Sequence, residues 1–197
     1  YDLNTEIVYR NNIHQKHKIK FTYLKTTVSD SITILNPNYL GHNNTTADLF
    51  NISYELEHEK RDYSIYPLHG YALSFEIKKY FSSDVHHLAL LTKSEKHIEP
   101  FNRFYIGSSF KTKYSTKGNQ PYFIQKALGY EDYVRGYEYY VVDGQSYWLS
   151  KTAIKYALIE KTDFEIPYVK MKQFNKSHYA LYLGVFSDLG YVLNEQP

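Results

Sequence analysis

Residues 50–57 read Phe50-Asn51-Ile52-Ser53-Tyr54-Glu55-Leu56-Glu57, and this stretch decides the fold class. Its even-numbered positions are apolar or aromatic, and its odd-numbered positions are polar or charged. Successive side chains of a β-strand point to opposite faces of a sheet. The alternation therefore predicts a strand with one apolar face and one polar face.

The same alternation recurs along the chain. It is clear at residues 71–78, 104–113 and 179–188, and weaker at about 2–10, 17–27, 85–94 and 147–159. No stretch between them shows persuasive helical spacing. The sequence therefore predicts an all-β fold, an antiparallel up-and-down β-barrel of which this chain holds about eight strands.

Composition excludes several classes of protein. The 197 residues include 23 Lys and Arg, 21 Asp and Glu, nine His and no Cys. The near-neutral charge gives no reason to expect a nucleic-acid partner, and the absence of Cys excludes disulfides and thiol nucleophiles. The His residues include no pair with a convincing third ligand, and no catalytic motif occurs. We expect no metal, no cofactor and no catalytic site.

Alternation alone leaves two kinds of β-barrel open. A soluble barrel buries its apolar faces, whereas a membrane barrel turns them toward lipid and lines its lumen with the polar faces. No apolar run is long enough for a transmembrane helix. The aromatic content of 18%, chiefly the 23 Tyr, favours the membrane barrel. We expect Trp148, Tyr147, Tyr139 and Tyr140 to lie in an aromatic belt near the outer surface.

The connections between the predicted strands fall into two alternating groups. One group comprises Asn11–Gln15, Lys60–Gly70, Lys96–Asn102 and Glu160–Lys176, and the other comprises 28–47, Ser82–Asp84, 115–146 and the tail from Asn194. The connection at 115–146 is the longest, and a connection of this length is usually functional. Because Tyr1 is not an initiator and Pro197 ends a polar stretch, we expect the chain to be a piece of a longer protein.

Three motifs occur in a suggestive order. The long connection contains Leu128-Gly129-Tyr130-Glu131-Asp132-Tyr133-Val134-Arg135-Gly136-Tyr137, a Gly-rich run that ends in Val-Arg-Gly-Tyr. Before it comes Lys60-Arg61-Asp62-Tyr63-Ser64-Ile65-Tyr66-Pro67-Leu68-His69-Gly70, and after it comes Phe186-Ser187-Asp188-Leu189-Gly190. Together they resemble the superfamily of BamA, TamA and the two-partner secretion transporters.

The resemblance implies roles for individual residues. The loop at 115–146 would fold back into the barrel lumen, where Arg135, followed by Gly136 and Tyr137, would pair with Asp188. A planar guanidinium suits a carboxylate partner. Gly129 and Gly136 would permit tight turns, and Gly190 completes the strand motif. Arg61, Asp62, Pro67 and Gly70 would form a periplasmic turn.

One position departs from the superfamily pattern. The strand after the loop usually carries an acidic residue, and here Ala153 stands at that position. Ala153 falls on the predicted lumen face but cannot bind the Arg. The lock would then depend on Asp188 alone or recruit Glu131, Asp132 or Glu138.

The resemblance also implies a place and a function. Residues 1–197 would form part of one barrel domain, roughly strands six to thirteen of a barrel of about 16 strands. The barrel would lie in the bacterial outer membrane and insert or translocate other outer-membrane proteins, without enzymatic activity. Its partners would be outer-membrane lipids, unfolded client proteins and periplasmic or lipoprotein accessory subunits. Two alternatives are the barrel of a patatin-type lipase fusion and a soluble Tyr-rich ligand-binding barrel.

Overall fold

Eight long strands form most of the chain in this computed structural model, which describes residues 1–40, 44–82, 86–116, 120–165 and 176–194. The strands are β1 (Asp2–Asn12), β2 (Gln15–Thr27), β3 (Thr46–Glu59), β4 (Gly70–Phe81), β5 (His86–Phe101), β6 (Phe104–Ser115), β9 (Ser146–Glu165) and β10 (Lys176–Leu193). Two very short strands, β7 (Lys126–Leu128) and β8 (Val142–Asp143), lie between β6 and β9.

The eight long strands form one antiparallel sheet in the order β1-β2-β3-β4-β5-β6-β9-β10. Each long strand therefore pairs with the next one along the chain, which is an up-and-down meander. The prediction of an all-β, antiparallel fold is confirmed. In the described part of the chain, β1 and β10 are the two outer strands and each pairs on one side only.

The register brings like residues together across the strands. Ile7, Ile19, Tyr54, Ile77 and Leu90 are successive cross-strand partners and form an apolar row over five strands. On the opposite face, Ala72, Glu95, Ser109, Lys151 and Asp188 form a corresponding row. We call the two sides the apolar face and the polar face.

The apolar face is open to the surroundings. Phe50, Ile52 and Tyr54 of β3 are 54%, 38% and 40% exposed, whereas Ser53 on the polar face is only 3% exposed. An apolar surface of this extent is unusual for a soluble monomer, because burial of apolar area is the main force that stabilises folded proteins.

Several strands are longer than the sequence predicts. The connection predicted at Lys96–Asn102 is wrong, because β5 continues to Phe101 and turns at Asn102 and Arg103. The pairing of β5 with β6 is irregular between Ile98 and Phe101. Pro100 lies within that irregularity, where a missing N–H breaks no ladder hydrogen bond. Likewise β9 runs to Glu165, past the predicted start of a connection at Glu160.

The connections at one end of the sheet contain structure that the alternation did not predict. A short helix, α1 (Asp30–Leu35), lies between β2 and β3. The connection at 115–146 contains a 3-10 helix at Tyr122–Ile124 and the β7–β8 hairpin. No helix in the described ranges is long and apolar enough to cross a membrane. Most of the predicted connections at Ser82–Asp84 and Glu160–Lys176 lie outside the described residues.

Candidate functional site

The connection between β6 and β9 packs on the polar face of the sheet. Its residues Ala127 and Leu128 form a buried cluster with Tyr147 and Leu149 of β9, and Val134 and Val192 pack against this cluster. A cluster of this size would not fold alone, but it fixes the connection against the last two strands. We call residues 120–145, which carry Gly129, Arg135 and Gly136, the docked loop.

Gly190 permits this close approach. A Cβ atom at Gly190 would lie 2.8 Å from Leu128 Cδ1 and 2.8 Å from Val134 Cγ2. Real Cβ atoms do not approach other carbons so closely, so a larger residue would force the side chains of Leu128 and Val134 to shift. The glycine of the Phe-x-Asp-x-Gly stretch therefore has a packing role.

Arg135 of the docked loop and Asp188 of the sheet form a polar contact of three hydrogen bonds. Arg135 Nε donates to Asp188 Oδ2 at 2.7 Å, Nη2 donates to Oδ1, and the backbone N–H donates to Oδ2 at 3.1 Å. The side chain of Asp188 is 1% exposed and that of Arg135 is 33% exposed. The guanidinium carbon also lies 3.8 Å from the ring centroid of Phe186, in the range of a cation–π contact.

Electrostatics reinforce this pair. The hydrogen bond to Asp188 raises the pKa of Arg135 above its already high value, although partial burial acts in the opposite direction. Arg135 is therefore a permanent cation. The pair combines bidentate geometry, charge and exclusion of water from the carboxylate, which together make a strong interaction.

Two glycines shape the docked loop around Arg135. Gly129 has φ of +96°, and a Cβ there would lie 2.1 Å from the carbonyl oxygen of Tyr140. Gly136 has φ of +91°. The adjacent Tyr137 donates its backbone N–H to the carbonyl of Val134 at 2.9 Å, and its side chain is 62% exposed. Tyr137 thus takes part in the turn through its backbone.

Glu131, Asp132 and Glu138, the alternative partners that the sequence offers, form no ion pair with the guanidinium of Arg135 in the described structure. Asp132 accepts hydrogen bonds from Lys111 and from the hydroxyl of Tyr147, and Glu138 accepts one from the N–H of Gly136. Among the described residues, Asp188 is the one carboxylate that pairs with Arg135. Ala153 lies on the polar face beside Phe186, its partner in register on β10.

Asp143, near the C-terminal end of the docked loop, binds two tyrosines of the same loop. The hydroxyls of Tyr122 and Tyr130 donate to its two carboxylate oxygens. Burial and this hydrogen bond raise the pKa of Tyr130, which remains a neutral donor. The ring of Tyr39 packs 5.7 Å from that of Tyr122 and links the loop to the β2–β3 connection.

The connection between β3 and β4, at the other end of the sheet, contains Arg61, Asp62 and Pro67, and Gly70 follows it as the first residue of β4. Arg61 binds Glu59 through Nε and Nη2, each at 2.6 Å, and Glu95 through Nη1 at 2.5 Å. Gly70 has φ of +99°, and a Cβ there would lie 2.0 Å from the carbonyl oxygen of Lys60. We call residues 60–69 the β3–β4 turn.

Asp62 organises the β3–β4 turn from within. Its carboxylate accepts the backbone N–H groups of Tyr63 at 2.8 Å and Leu68, just after Pro67, at 3.1 Å. Burial alone would raise the pKa of Asp62, but these N–H donors and His69 outweigh it and lower the pKa. Both ends of the turn are therefore tied to one carboxylate.

The β3–β4 turn reaches the far strands of the sheet. The ring of Tyr66 lies 5.5 Å from that of Tyr182 on β10, and Lys155 Nζ of β9 lies 3.6 Å from the centroid of Tyr66. The sequence does not predict these contacts. Strand alternation assigns a face to each residue, but it does not predict where a turn folds across that face.

The aromatic residues divide between the two faces. Trp148 lies on the apolar face, with its ring 6.4 Å from those of Phe110 and Tyr191. The prediction for Tyr147 is wrong, because it points to the polar face and is buried in the cluster under the docked loop.

Among the described residues, no group of three or more His, Cys, Asp or Glu could hold a metal ion.

Comparisons with known proteins bear on the fold. No family model matches the sequence, and no curated protein matches it. The structure is similar to the crystal structure of BamA from Haemophilus ducreyi lacking POTRA domains 1-3, with a TM-score of 0.66 and 12% sequence identity. The similarity covers 98% of this chain and 42% of that one. The chain thus has the fold of part of a BamA barrel and spans less than half the length of that protein.

Proposed function

We propose that this chain is part of a bacterial outer-membrane β-barrel of the BamA/TamA type, which inserts or translocates other outer-membrane proteins. One observation carries the proposal: the docked loop is pinned to the polar face by Arg135 and Asp188 while the apolar face stays open. The similarity to the BamA barrel supports the same reading at the level of the fold.

The two faces of the sheet support a membrane location. In a barrel that faces lipid, the apolar residues point outward and the charged residues line a wet lumen. The docked loop occupies the polar face, so that face would be the inner one. A soluble ligand-binding barrel needs the opposite arrangement, with the apolar residues inside. The open apolar face therefore favours outer-membrane lipids as a partner.

The outer strands of the sheet imply further strands. Backbone N–H and C=O groups cannot remain unpaired in the hydrocarbon region, so a membrane sheet has to close into a barrel. The proposal assigns residues 1–197 to roughly strands six to thirteen of about 16, and other strands would pair with β1 and β10.

The function itself would depend on a seam outside this chain. A barrel whose first and last strands pair weakly can offer an edge to an unfolded client by strand addition. The docked loop would brace the lumen while that seam opens, and periplasmic or lipoprotein subunits would assist. In this account the barrel is not an enzyme.

The experiment is Arg135→Ala in the complete protein, produced in its native outer membrane. We expect less folded barrel, measured by its heat-dependent gel mobility, and reduced assembly of other outer-membrane proteins. The control is Arg103→Ala, because Arg103 also pairs with an acidic residue, Glu160, but at an exposed turn. Normal barrel levels and normal client assembly in the Arg135 variant would contradict the proposal.

A further inference from the structure

A cavity of about 590 Å³ lies on the polar face between the docked loop and the β3–β4 turn. Its lining includes Tyr133 and Arg135 of the docked loop, Tyr66 of the turn, and Lys151, Ala153 and Lys155 of β9. All these residues belong to the described chain.

Lys151 and Lys155 of this cavity differ from most other lysines on the polar face. Six lysines of that face, of which Lys93 also lines the cavity, each have a carboxylate within ion-pair distance: Lys16, Lys18, Lys20, Lys78, Lys93 and Lys111. A seventh, Lys113, donates to the carbonyl of Lys126. In the described ranges, no carboxylate lies within ion-pair distance of Lys151 or Lys155.

Tyrosine rings hold these two lysines instead. Lys151 Nζ lies 4.6 Å from the ring centroid of Tyr133, and Lys155 Nζ lies 3.6 Å from that of Tyr66. A ring attracts an ammonium group through its quadrupole but does not neutralise its charge. The two lysines are thus positioned by rings rather than by a direct ion pair, and Asp188 and Asp62 act on their charges from beyond ion-pair distance.

The nearby carboxylates are already bound elsewhere. Asp188, which pairs in register with Lys151, accepts three hydrogen bonds from Arg135. Asp62 attracts Lys155 electrostatically, but its oxygens accept the backbone N–H groups of the turn. Glu95 on the cavity wall already binds Arg61 and Lys93.

Ala153 leaves space between the two lysines. On one strand face, Lys151 and Lys155 are about 13 Å apart along the backbone, with Ala153 midway. Arg135 lies above the neighbouring Phe186 and uses Nε and Nη2 for Asp188, which leaves Nη1 as a further donor. A small side chain surrounded by cationic donors is suited to an external anion.

The geometry points to a binding site in this cavity for an elongated polyanion that carries phosphate or carboxylate groups, held by Lys151, Lys155 and Arg135. The anion would take the place of a carboxylate that β9 lacks at Ala153, and charge-assisted hydrogen bonds from these donors would hold it. The anion would also join the docked loop, β9 and the β3–β4 turn.

The test is titration calorimetry with tripolyphosphate on the complete protein, folded in uncharged detergent micelles at low ionic strength. We expect saturable binding to the wild type and binding at least about tenfold weaker in Lys151→Gln/Lys155→Gln. The matched control is Lys126→Gln/Lys161→Gln, which removes two other lysines that contact tyrosine rings outside this cavity. We expect this control to bind within about twofold of the wild type.

A second variant separates loss of the site from loss of the fold. Ala153→Glu would supply an internal carboxylate between the lysines, so tripolyphosphate binding should fall while the folded gel mobility is retained. Three results would overturn the site. The wild type would show no saturable binding, the Lys151→Gln/Lys155→Gln variant would bind as well as the Lys126→Gln/Lys161→Gln control, or Ala153→Glu would bind as tightly as the wild type.

Two further titrations identify the anion. Tighter binding of citrate than of tripolyphosphate would assign carboxylates, and the reverse would assign phosphates. Displacement of tripolyphosphate by short-chain phosphatidylglycerol in the micelles would assign a lipid headgroup, whereas no displacement would assign a soluble anion. Each of these results supports the site, since the cationic donors are shared.

Discussion

Arg135 of the docked loop and Asp188 of β10, which are 53 residues apart in sequence, share three hydrogen bonds. The carboxylate is almost fully buried and the guanidinium is one-third exposed. The pair joins a long connection to the last strand of the described sheet. Its loss should release the docked loop before it disrupts the strands.

Asp188→Asn tests the charge of this pair while it preserves side-chain size. The substitution removes the charge of the buried partner, while Arg135 keeps partial access to solvent. We therefore expect a loss of about 1–3 kcal/mol in the stability of the docked conformation. Trypsin should then cleave after Arg135 in the folded protein, as followed by mass spectrometry. Asp163→Asn, at an exposed pair with His178, should remain resistant there. Equal resistance of the Asp188 variant would show that the pair does not hold the loop.

Gly129→Ala tests the backbone of the docked loop. The new Cβ would clash with the carbonyl of Tyr140 at a positive φ, so we expect destabilisation of about 1–3 kcal/mol in urea unfolding. The comparison is Gly184→Ala on β10, where the nearest atom to an added Cβ is 3.4 Å away. A Gly129 variant no less stable than the Gly184 variant would argue against the turn geometry.

Gly190→Ala tests the packing between the loop and β10. The added methyl group would meet Leu128 and Val134, and overpacking of this kind costs about 1–3 kcal/mol. The second substitution Leu128→Ala makes room for it. A double-mutant cycle by urea unfolding should therefore show that the two changes together cost less than their sum. Simple additivity would mean that the residues do not pack together.

Acid should loosen the β3–β4 turn. The pKa of Asp62 is lower in the folded protein than its ordinary value of 3.8, so its ionised form stabilises the turn. That contribution is complete above the ordinary value and disappears as the pH falls through the lowered value. Hydrogen exchange at the Leu68 amide, corrected for its intrinsic rate, should lose protection over that range in the wild type and not in Asp62→Asn. Protection that does not change with pH would contradict the role of Asp62.

The strands could be predicted because each needs only the alternation of its own residues. Phe50–Glu57 defines both faces of β3 without any information from other strands. The full length of β5 was missed because Pro100 and the charged residues near it hide the alternation, while cross-strand pairing with β6 extends the strand.

The candidate site was only partly predictable, because alternation describes single strands and not contacts between distant parts of the chain. The sequence indicated a contact between Arg135 and Asp188 only through a resemblance between motifs. The contacts of Tyr66 with Tyr182 and Lys155, and of Asp132 with Lys111, depend on how two connections fold across the polar face. No local period encodes such contacts.

The most direct test of the central claim compares two neighbouring positions of β2 in a lipid bilayer. Ile19 lies on the apolar face and Lys20 on the polar face. These 197 residues contain no Cys, so in the complete protein, with any Cys elsewhere replaced, a single Cys at either position can carry a spin label. An outer-membrane barrel predicts that the label at Ile19 is accessible to oxygen dissolved in lipid and shielded from a water-soluble nickel complex, with the reverse at Lys20. Nickel access at Ile19 with a shielded label at Lys20 would contradict the account.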